Sequence, residues 1–220
     1  MSRVVSLAGR AAARGMSGLM AGATLLGVDR SYAKLATLRD LRRPLVFFHW
    51  TEDEVPRLGL ASRQVRFGDN VSFVVDDTLG GKLGAVILGC YGCETALLRI
   101  NSRALAVRDT RSLIRSCKDL SISADGRGPY RVVNRRLPDL VRAKGAVAVP
   151  VCVRVSGHLF RCRRPWPLVV PQRGATLAVV VGEAIELDRH DGREVLARGL
   201  FRAVAEAEEL LVAGCHGPLM

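Results

Sequence analysis

Lysine is scarce in this chain of 220 residues, and aromatic residues make up only 5% of it. Arginine therefore carries most of the positive charge behind the formal net charge of +12. No lysine tract is present, and arginines do not alternate with aromatic residues, so the sequence lacks a stacking platform for nucleic acid. Nucleic acid is the least favoured partner, and the charge indicates an anionic lipid surface or a phosphorylated substrate instead.

Several signatures of cofactor and metal sites are also missing. The chain has no G-x-x-x-x-G-K-[ST] loop and no G-x-G-x-x-G that opens a helix after a strand, which argues against the common nucleotide-binding motifs. No G-x-S-x-G elbow is present, which argues against an ordinary serine hydrolase. Cys90 and Cys93 form a lone C-x-x-C without the second pair of ligands that a zinc site needs. We therefore predict no metal and no resident cofactor, and mostly buried free thiols in a reducing compartment.

The first 28 residues contain no acidic residue. Apolar residues recur there at steps of three and four, with Arg3, Arg10 and Arg14 between them, which predicts a basic amphipathic helix suited to an anionic bilayer surface. A helix packed on the protein's own core, a cleaved signal peptide and a transit-like presequence are the alternatives. The apolar run at 16–28 is shorter than the roughly 20 residues of a membrane span.

The rest of the chain alternates between strand-like and helix-like segments. This alternation predicts an α/β fold with a single, mostly parallel or mixed sheet and helices on both faces. The expected organisation is an N-terminal segment at 1–30 and one domain at 31–220. Strands are predicted at 45–48, 71–75, 95–98, 120–123, 146–155 and 177–181, and helices at 79–88, 109–117, 137–144 and 191–214.

One segment combines turn residues with charged groups directly after a predicted strand. Gly126 and Gly128 allow close approach of the backbone to a ligand, and Arg127 and Arg131 can donate paired hydrogen bonds to phosphate or carboxylate oxygens. Asp125 precedes them. The segment predicts an anion-binding loop, and the alternative is a solvated turn in which Asp125 accepts from local amides.

His49 immediately follows the apolar strand predicted at 45–48, at the place where α/β sheets present functional groups. A histidine that acts as a base needs a carboxylate to orient its ring, and Asp53 and Glu54 lie four and five residues further on. His49 is thus the candidate general base. The alternative is a histidine packed at a strand end, with the acidic residues placed on an exposed helix start.

Five short blocks, taken in order, resemble the lysophospholipid acyltransferase-like superfamily, and most closely a bacterial branch without a defined function. The resemblance covers about residues 30–187, and the block at 122–129 is similar to the branch's TPDGPRGP with one residue deleted. The other similarities are 140–151 to LAxxxGAPIVPV, 179–185 to VxxGEPI, 99–103 to RGSSxR and 48–50 to the position of WHG.

The resemblance implies an acyltransferase that moves an acyl chain from acyl-CoA or acyl carrier protein to a hydroxyl of a lysophospholipid. The superfamily's His-x-x-x-x-Asp spacing falls on His49 and Glu54, with Asp53 one residue early. Its phosphate-binding arginines fall on Arg99 and Arg127. The complete predicted anion site comprises Arg99, Arg103, Asp125, Gly126, Arg127, Gly128 and Arg131.

The resemblance also implies where such a protein works. We expect a bacterial protein that is peripheral on the cytoplasmic face of the inner membrane, or cytoplasmic, with anionic membrane lipid as a partner. The alternative function is a catalytically inactive module on the same fold that binds lipid or another anion.

Overall fold

The computed structural model describes residues 3–63, 70–126, 129–162, 168–187 and 192–215, apart from the side chains of Arg103, Cys162, Leu168 and Cys215. The helices are α1 (Arg3–Met20), α2 (Val28–Arg39), α3 (Glu54–Ser62), α4 (Leu79–Cys90), α5 (Arg103–Arg115), α6 (Leu137–Lys144) and α7 (Gly192–Cys215). The strands are β1 (Thr24–Leu26), β2 (Leu45–His49), β3 (Val71–Asp76), β4 (Glu94–Leu98), β5 (Asp119–Ser123), β6 (Val147–Val155), β7 (His158–Cys162), β8 (Leu168–Pro171) and β9 (Thr176–Val181). A 3₁₀ turn at Thr51–Asp53 links β2 to α3.

Seven strands form one sheet in the order β1-β9-β6-β2-β5-β3-β4. The strands from β6 to β4 run parallel, β9 pairs antiparallel to β6, and β1 pairs parallel to β9. The strands β7 and β8 form a separate antiparallel hairpin that follows β6. The predicted α/β fold with a mostly parallel sheet is confirmed, and the carboxyl ends of β2, β3, β4 and β5 meet at one edge of it.

Helices cover both faces of the sheet. Because successive side chains of a strand point to opposite sides, each central strand contributes to two apolar clusters. In β2, Val46 and Phe48 pack in the apolar cluster that includes residues of α5, α6 and α7. Leu45 and Phe47 pack in a second cluster with residues of α1, α2 and α3. All five residues of β2 are buried, so its polar terminal residue, His49, stands out.

The predicted amphipathic helix at the N-terminus forms α1, and it packs on α3 and α4. Its buried side carries Gly9, Ala13 and Met20. Gly9 permits the close approach to α4, because a Cβ atom there would lie 2.5 Å from Cγ1 of Val86. In the part of the chain that the structure describes, no helix is both long and apolar enough to cross a membrane.

Some predicted boundaries are wrong for identifiable reasons. The helix expected to start at Asp109 begins at Arg103, and Asp109 is a buried residue of α5 that accepts hydrogen bonds from Arg99. The sequence pattern also missed β1, α2 and the β7–β8 hairpin. The helix predicted at 137–144 has the predicted bounds, and Gly145 ends it in a left-handed conformation (φ 63°).

The cysteines only partly follow the prediction of buried thiols. Cys152 is buried, but Cys90 and Cys117 are exposed, which corrects that expectation. Cys90 is the last residue of α4, two residues beyond the predicted end of this helix at 88. Among the described residues, no group of three His, Cys, Asp or Glu side chains is placed to hold a metal ion.

Candidate active site

The segments that follow β2 and β5 lie side by side at the carboxyl edge of the sheet. His49 pairs with Ser123 in the parallel register, and the Ala124 amide donates to the His49 carbonyl oxygen at 2.7 Å. The structure thus brings the candidate base and the Asp125–Gly126 turn together. This adjacency follows from strand order, because β2 and β5 are distant in sequence but neighbours in the sheet.

The His49 side chain is buried, and its hydrogen-bond partner is an arginine rather than a carboxylate. Nη1 of Arg57 lies 2.5 Å from Nδ1 and 2.7 Å from Nε2 of the imidazole. A guanidinium can only donate, so the one ring nitrogen that accepts from Arg57 carries no proton and the ring is neutral. Burial lowers the pKa of His49 well below its usual value, and the positive charge of Arg57 lowers it further.

Arg57 is itself buried, on the second turn of α3. It also donates to the hydroxyl of Ser121 on β5, and its guanidinium carbon lies 5.5 Å from the centroid of the Phe73 ring on β3. Burial lowers the pKa of Arg57 to about 10, which still leaves it charged at neutral pH. A buried cation that contacts His49, Ser121 and an aromatic face therefore lies beside the candidate base.

The two candidate acids have different surroundings. Asp53 is fully buried, and Nη1 of Arg154 lies 2.6 Å from its Oδ1. Glu54 is solvent-accessible at the start of α3, one helical turn before Arg57. Among the described residues, neither carboxylate hydrogen-bonds to the His49 ring, whose contacts are to Arg57. The roles predicted for Asp53 and Glu54 stay predictions.

Both acids have pKa values of about 7. For Asp53, burial raises the pKa, and the attraction of Arg154 does not offset it. For Glu54, desolvation by the surrounding protein raises the pKa against the opposing effect of Arg57, and the nearby carboxylates of Asp125 and Asp76 add to the rise.

The Asp125 carboxylate organises the turn after β5. Its Oδ1 accepts from the Thr51 amide at 2.9 Å and the Thr51 hydroxyl at 2.7 Å, and its Oδ2 accepts from the Arg131 amide at 3.2 Å. The Ser123 hydroxyl also donates to Oδ1 at 3.0 Å. Gly126 follows in the left-handed region (φ 51°), where a side chain would add strain. Asp125 thereby fixes the two site-forming turns to each other.

A buried ionic cluster lies beside this turn and is centred on Glu52. The Glu52 carboxylate accepts from Arg131 (Nη2, 2.5 Å) and from the hydroxyl of Tyr130 (2.5 Å), and it pairs with Arg154 at 2.8 Å. Burial alone would raise the pKa of Glu52, but Arg154, Tyr130 and Arg131 together hold it below its usual value. Asp53 joins the same cluster through Arg154.

The predicted anion-binding arginines are only partly brought together. Arg131 is held by Glu52, and Arg99 is held by Asp109 through its Nε at 2.9 Å. Hydrogen bonds from Arg99 hold the pKa of Asp109 well below its usual range. Arg127 and Gly128, and the side chain of Arg103, lie outside the described residues. The phosphate-binding role of these arginines stays a prediction.

Sequence reasoning missed four residues that shape the site: Thr51, Arg57, Ser121 and Arg154. Ser121 could have been found, since Asp119, Ser121 and Ser123 alternate with apolar residues in β5, and Ser121 therefore faces the same side as Ser123, the register partner of His49. Arg57 and Arg154 carry no local signal. Their place depends on how α3 and the end of β6 pack on the sheet.

The sheet order, the helices on both faces and the polar strand ends define an acyltransferase-like α/β fold. The chain is similar to the crystal structure of the 1-acyl-sn-glycerophosphate (LPA) acyltransferase PlsC from Thermotoga maritima. The similarity has a TM-score of 0.52 and 15% sequence identity, over 94% of this chain and 79% of that chain. At this identity it shows the fold alone. No protein-family model matches the chain, and no curated protein matches it by sequence.

Proposed function

We propose that this protein transfers an acyl group from a thioester, acyl-CoA or acyl carrier protein, to a hydroxyl of a lysophospholipid or related lipid. The observation that carries the proposal is the register of His49 with Ser123 in a fold shared with an acyltransferase. It supports a reaction centre where parallel sheets commonly bind ligands, at the carboxyl ends of the strands. The thioester itself supplies the acyl group, so the proposed reaction needs no resident cofactor.

In the proposed reaction, the neutral His49 imidazole takes the proton of the acceptor hydroxyl as its oxygen attacks the thioester carbonyl carbon. The C–S bond then breaks, and the departing thiolate takes the proton back from the imidazolium. One ester and one thiol result. The lowered pKa of His49 favours this role in one respect, since it keeps the ring in the form that can accept a proton.

Arg57 must release a ring nitrogen before His49 can accept that proton. Glu54 lies three residues before Arg57 on α3, a spacing at which helical side chains can pair. We assign Glu54 as the alternative partner for Arg57 when the acceptor binds, and as the acid that then faces the ring. Asp53 is the weaker candidate because Arg154 already holds it within the buried cluster.

Anionic oxygens of the acceptor would bind to the arginines at 99, 103, 127 and 131. A guanidinium has five N–H donors, so the ion pairs of Arg99 and Arg131 do not exclude a phosphate. We further propose peripheral association with anionic lipid on the cytoplasmic face of the membrane. The outward side of α1 supports this, since it exposes Arg3, Arg10 and Arg14 and carries no acid.

The test is acyl transfer with labelled acyl-CoA and, separately, labelled acyl carrier protein, using a lysophospholipid dispersed in detergent. His49→Ala should lower the rate by about 10²–10⁴-fold, which is the usual contribution of a general base. His158→Ala is the matched control, because His158 is exposed at the start of β7. Thermal unfolding of each variant shows that the fold is retained.

Two results would contradict the proposal. Either wild type forms no diacyl product from any thioester, or a folded His49→Ala variant transfers acyl groups as fast as wild type. Loss of activity in both histidine variants would point to general damage rather than to a base at His49.

A module that binds anionic lipid without catalysis is the second candidate. It is favoured by one observation: Nη1 of Arg57 lies within 2.7 Å of both imidazole nitrogens, so the nitrogen that would take the proton already accepts a hydrogen bond from Arg57. This function predicts that the protein binds anionic vesicles and leaves the thioester intact in the same assay.

A further inference from the structure

The large apolar side chains with the greatest exposure lie on three elements near the candidate site. Among the described residues, the four most exposed ones are Val4 (75%), Leu79 (71%), Leu7 (69%) and Leu159 (64%). Phe160, next to Leu159, is 53% exposed. These five residues come from three separate elements, and the topology places all three at the carboxyl edge of the sheet, where the candidate site lies.

Leu79 lies at this edge because α4 starts directly after β3. The strand ends at Asp76, and the Thr78 hydroxyl accepts from the Gly81 amide to cap the helix. Leu79 is therefore the first residue of a helix that begins beside the site, and its side chain is exposed there.

The beginning of α1 lies at the same edge because α1 runs alongside α4 in the same direction. Gly9 approaches Val86, and the Tyr91 hydroxyl donates to the Ala13 carbonyl oxygen at 2.6 Å. Later residues of α1 thus meet later residues of α4. Val4 and Leu7 consequently fall toward the end of α4 that carries Leu79.

The β7–β8 hairpin leaves the sheet from the carboxyl end of β6. Its second strand packs against α3 and against the 3₁₀ turn that follows His49. Leu159 and Phe160 lie in its first strand, both exposed, and exposed Arg161 follows them. Two adjacent apolar side chains on an exposed strand are unusual, since one of them normally faces a core.

Charge identifies the occupant of this surface. The apolar residues are accompanied by exposed arginines, Arg3 and Arg10 on α1 and Arg161 on the hairpin, and α1 contains no acid. Exposed apolar side chains with basic neighbours fit the boundary of an anionic bilayer, where the former enter the acyl region and the latter meet headgroups. A purely apolar partner surface would leave these arginines unpaired.

We propose that the β7–β8 hairpin and the start of α4 insert into an anionic lipid surface together with the start of α1. The carboxyl edge of the sheet then faces the bilayer. The choice of lipid over another occupant rests on the proposed function, whose acceptor is a lipid. The new element is the hairpin, which makes α1 one of three contacts rather than a lone anchor.

The first test measures binding to vesicles of phosphatidylcholine with and without phosphatidylglycerol. Leu159→Ser with Phe160→Ser should weaken binding to the anionic vesicles by at least about 10-fold, since burying each such side chain is worth more than that factor. The matched control is Phe201→Ser with Val212→Ser, which alters two exposed apolar residues of α7. The control should change binding less than twofold.

The second test detects insertion directly. Phe160→Trp should show a blue-shifted indole emission on anionic vesicles and quenching by lipids brominated in their acyl chains, measured as the difference from wild type. Phe201→Trp should show neither. Equal responses at the two positions, or no response at position 160, would overturn the proposal. A hairpin variant that binds vesicles like wild type but has lost an association between copies of this chain would also overturn it, because the surface would then be an interface between copies.

These results are separable from those on catalysis. Hairpin variants should retain acyl transfer to an acceptor dispersed in detergent, because no bilayer is needed there. Insertion without any acyl transfer would remove the proposed function and keep the surface. Acyl transfer without hairpin insertion would remove the proposed lipid contact and keep the proposed function.

Discussion

Two neighbouring polar clusters flank the short segment between β2 and α3, and they differ in charge balance. In the first, His49 faces one buried cation, Arg57, and hydrogen-bonding neighbours. In the second, Glu52 and Asp53 are neutralised by Arg131 and Arg154. The difference separates two tasks. The first cluster keeps a titratable ring neutral and close to the site, and the second fixes the turn that carries it.

Removing the cation of the second cluster should have the largest effect on stability. Arg154→Met leaves Glu52 and Asp53 buried with one partner fewer, and breaking a buried ion pair from one side costs about 3–5 kcal/mol. Urea unfolding at pH 8 measures the free energy. Arg142→Met is the matched control, because Arg142 pairs with the exposed Asp139 within α6, a pair worth about 0–1 kcal/mol. Equal losses would show that the second cluster does not fix the turn.

Asp53 should make stability fall as the pH rises. Its pKa is about 7 in the folded state against 3.8 ordinarily, so the folded state binds the additional proton between these values. The contribution of protonated Asp53 to the free energy of unfolding is complete below about pH 4 and is lost as the pH rises to about 7. Asp53→Asn cannot titrate, so its free energy of unfolding relative to wild type should rise over this window by up to about 4 kcal/mol, which is about 1.4 kcal/mol for each of roughly three pKa units.

The comparison is made by urea unfolding at pH 4, 5.5 and 7. Asp139→Asn removes the same charge from an exposed position and serves as the control for net charge. If the advantage of Asp53→Asn over wild type in free energy of unfolding declined with rising pH, the charge of Arg154, and not burial, would determine the pKa of Asp53.

The smallest expected change in stability comes from the first cluster. Arg57→Met should cost about 1–2 kcal/mol, since Ser121 and His49 each lose a hydrogen-bond partner while a buried charge is also removed. The pKa of His49 should rise toward its usual value, because the positive charge of Arg57 lowers it, although burial continues to hold it down. Titration of the His49 ring protons by NMR measures this.

Arg43→Met provides the control, because Arg43 is exposed and pairs with Glu186. It should leave the His49 titration unchanged. An unchanged titration in Arg57→Met would mean that the guanidinium does not face the ring in solution.

These clusters also show what local sequence can and cannot predict. Strands such as β2 and β6 are evident as short apolar runs, and the end of α6 is marked by Gly145, because burial and backbone freedom are local properties. The adjacency of His49 to the turn after β5 follows once the strands are taken as parallel neighbours. The partners of each carboxylate do not follow, since three consecutive acids at 52–54 look alike in sequence.

Tertiary packing separates those acids. Glu52 and Asp53 meet Arg154 only because β6 extends past the end of β2, where Phe48 pairs with Pro150. Asp109 is a similar case. It resembles a helix cap in sequence, but it lies in the middle of α5, where its carboxylate accepts a hydrogen bond from Arg99. In each instance a partner distant in sequence, or on a different element, decides the role of the residue.

The contact between α1 and α3 has a consequence for the position of Arg57. Met20 lies so close to Gly59 that a Cβ atom there would come within 2.8 Å of its sulfur. Gly59 is two residues after Arg57 on the same short helix. A shift of the first helix, for instance as it settles on a membrane, would therefore press on the segment that holds the guanidinium against the imidazole. If the proposed membrane contact holds, the position of Arg57 beside His49 would then depend on whether the protein is attached to the membrane.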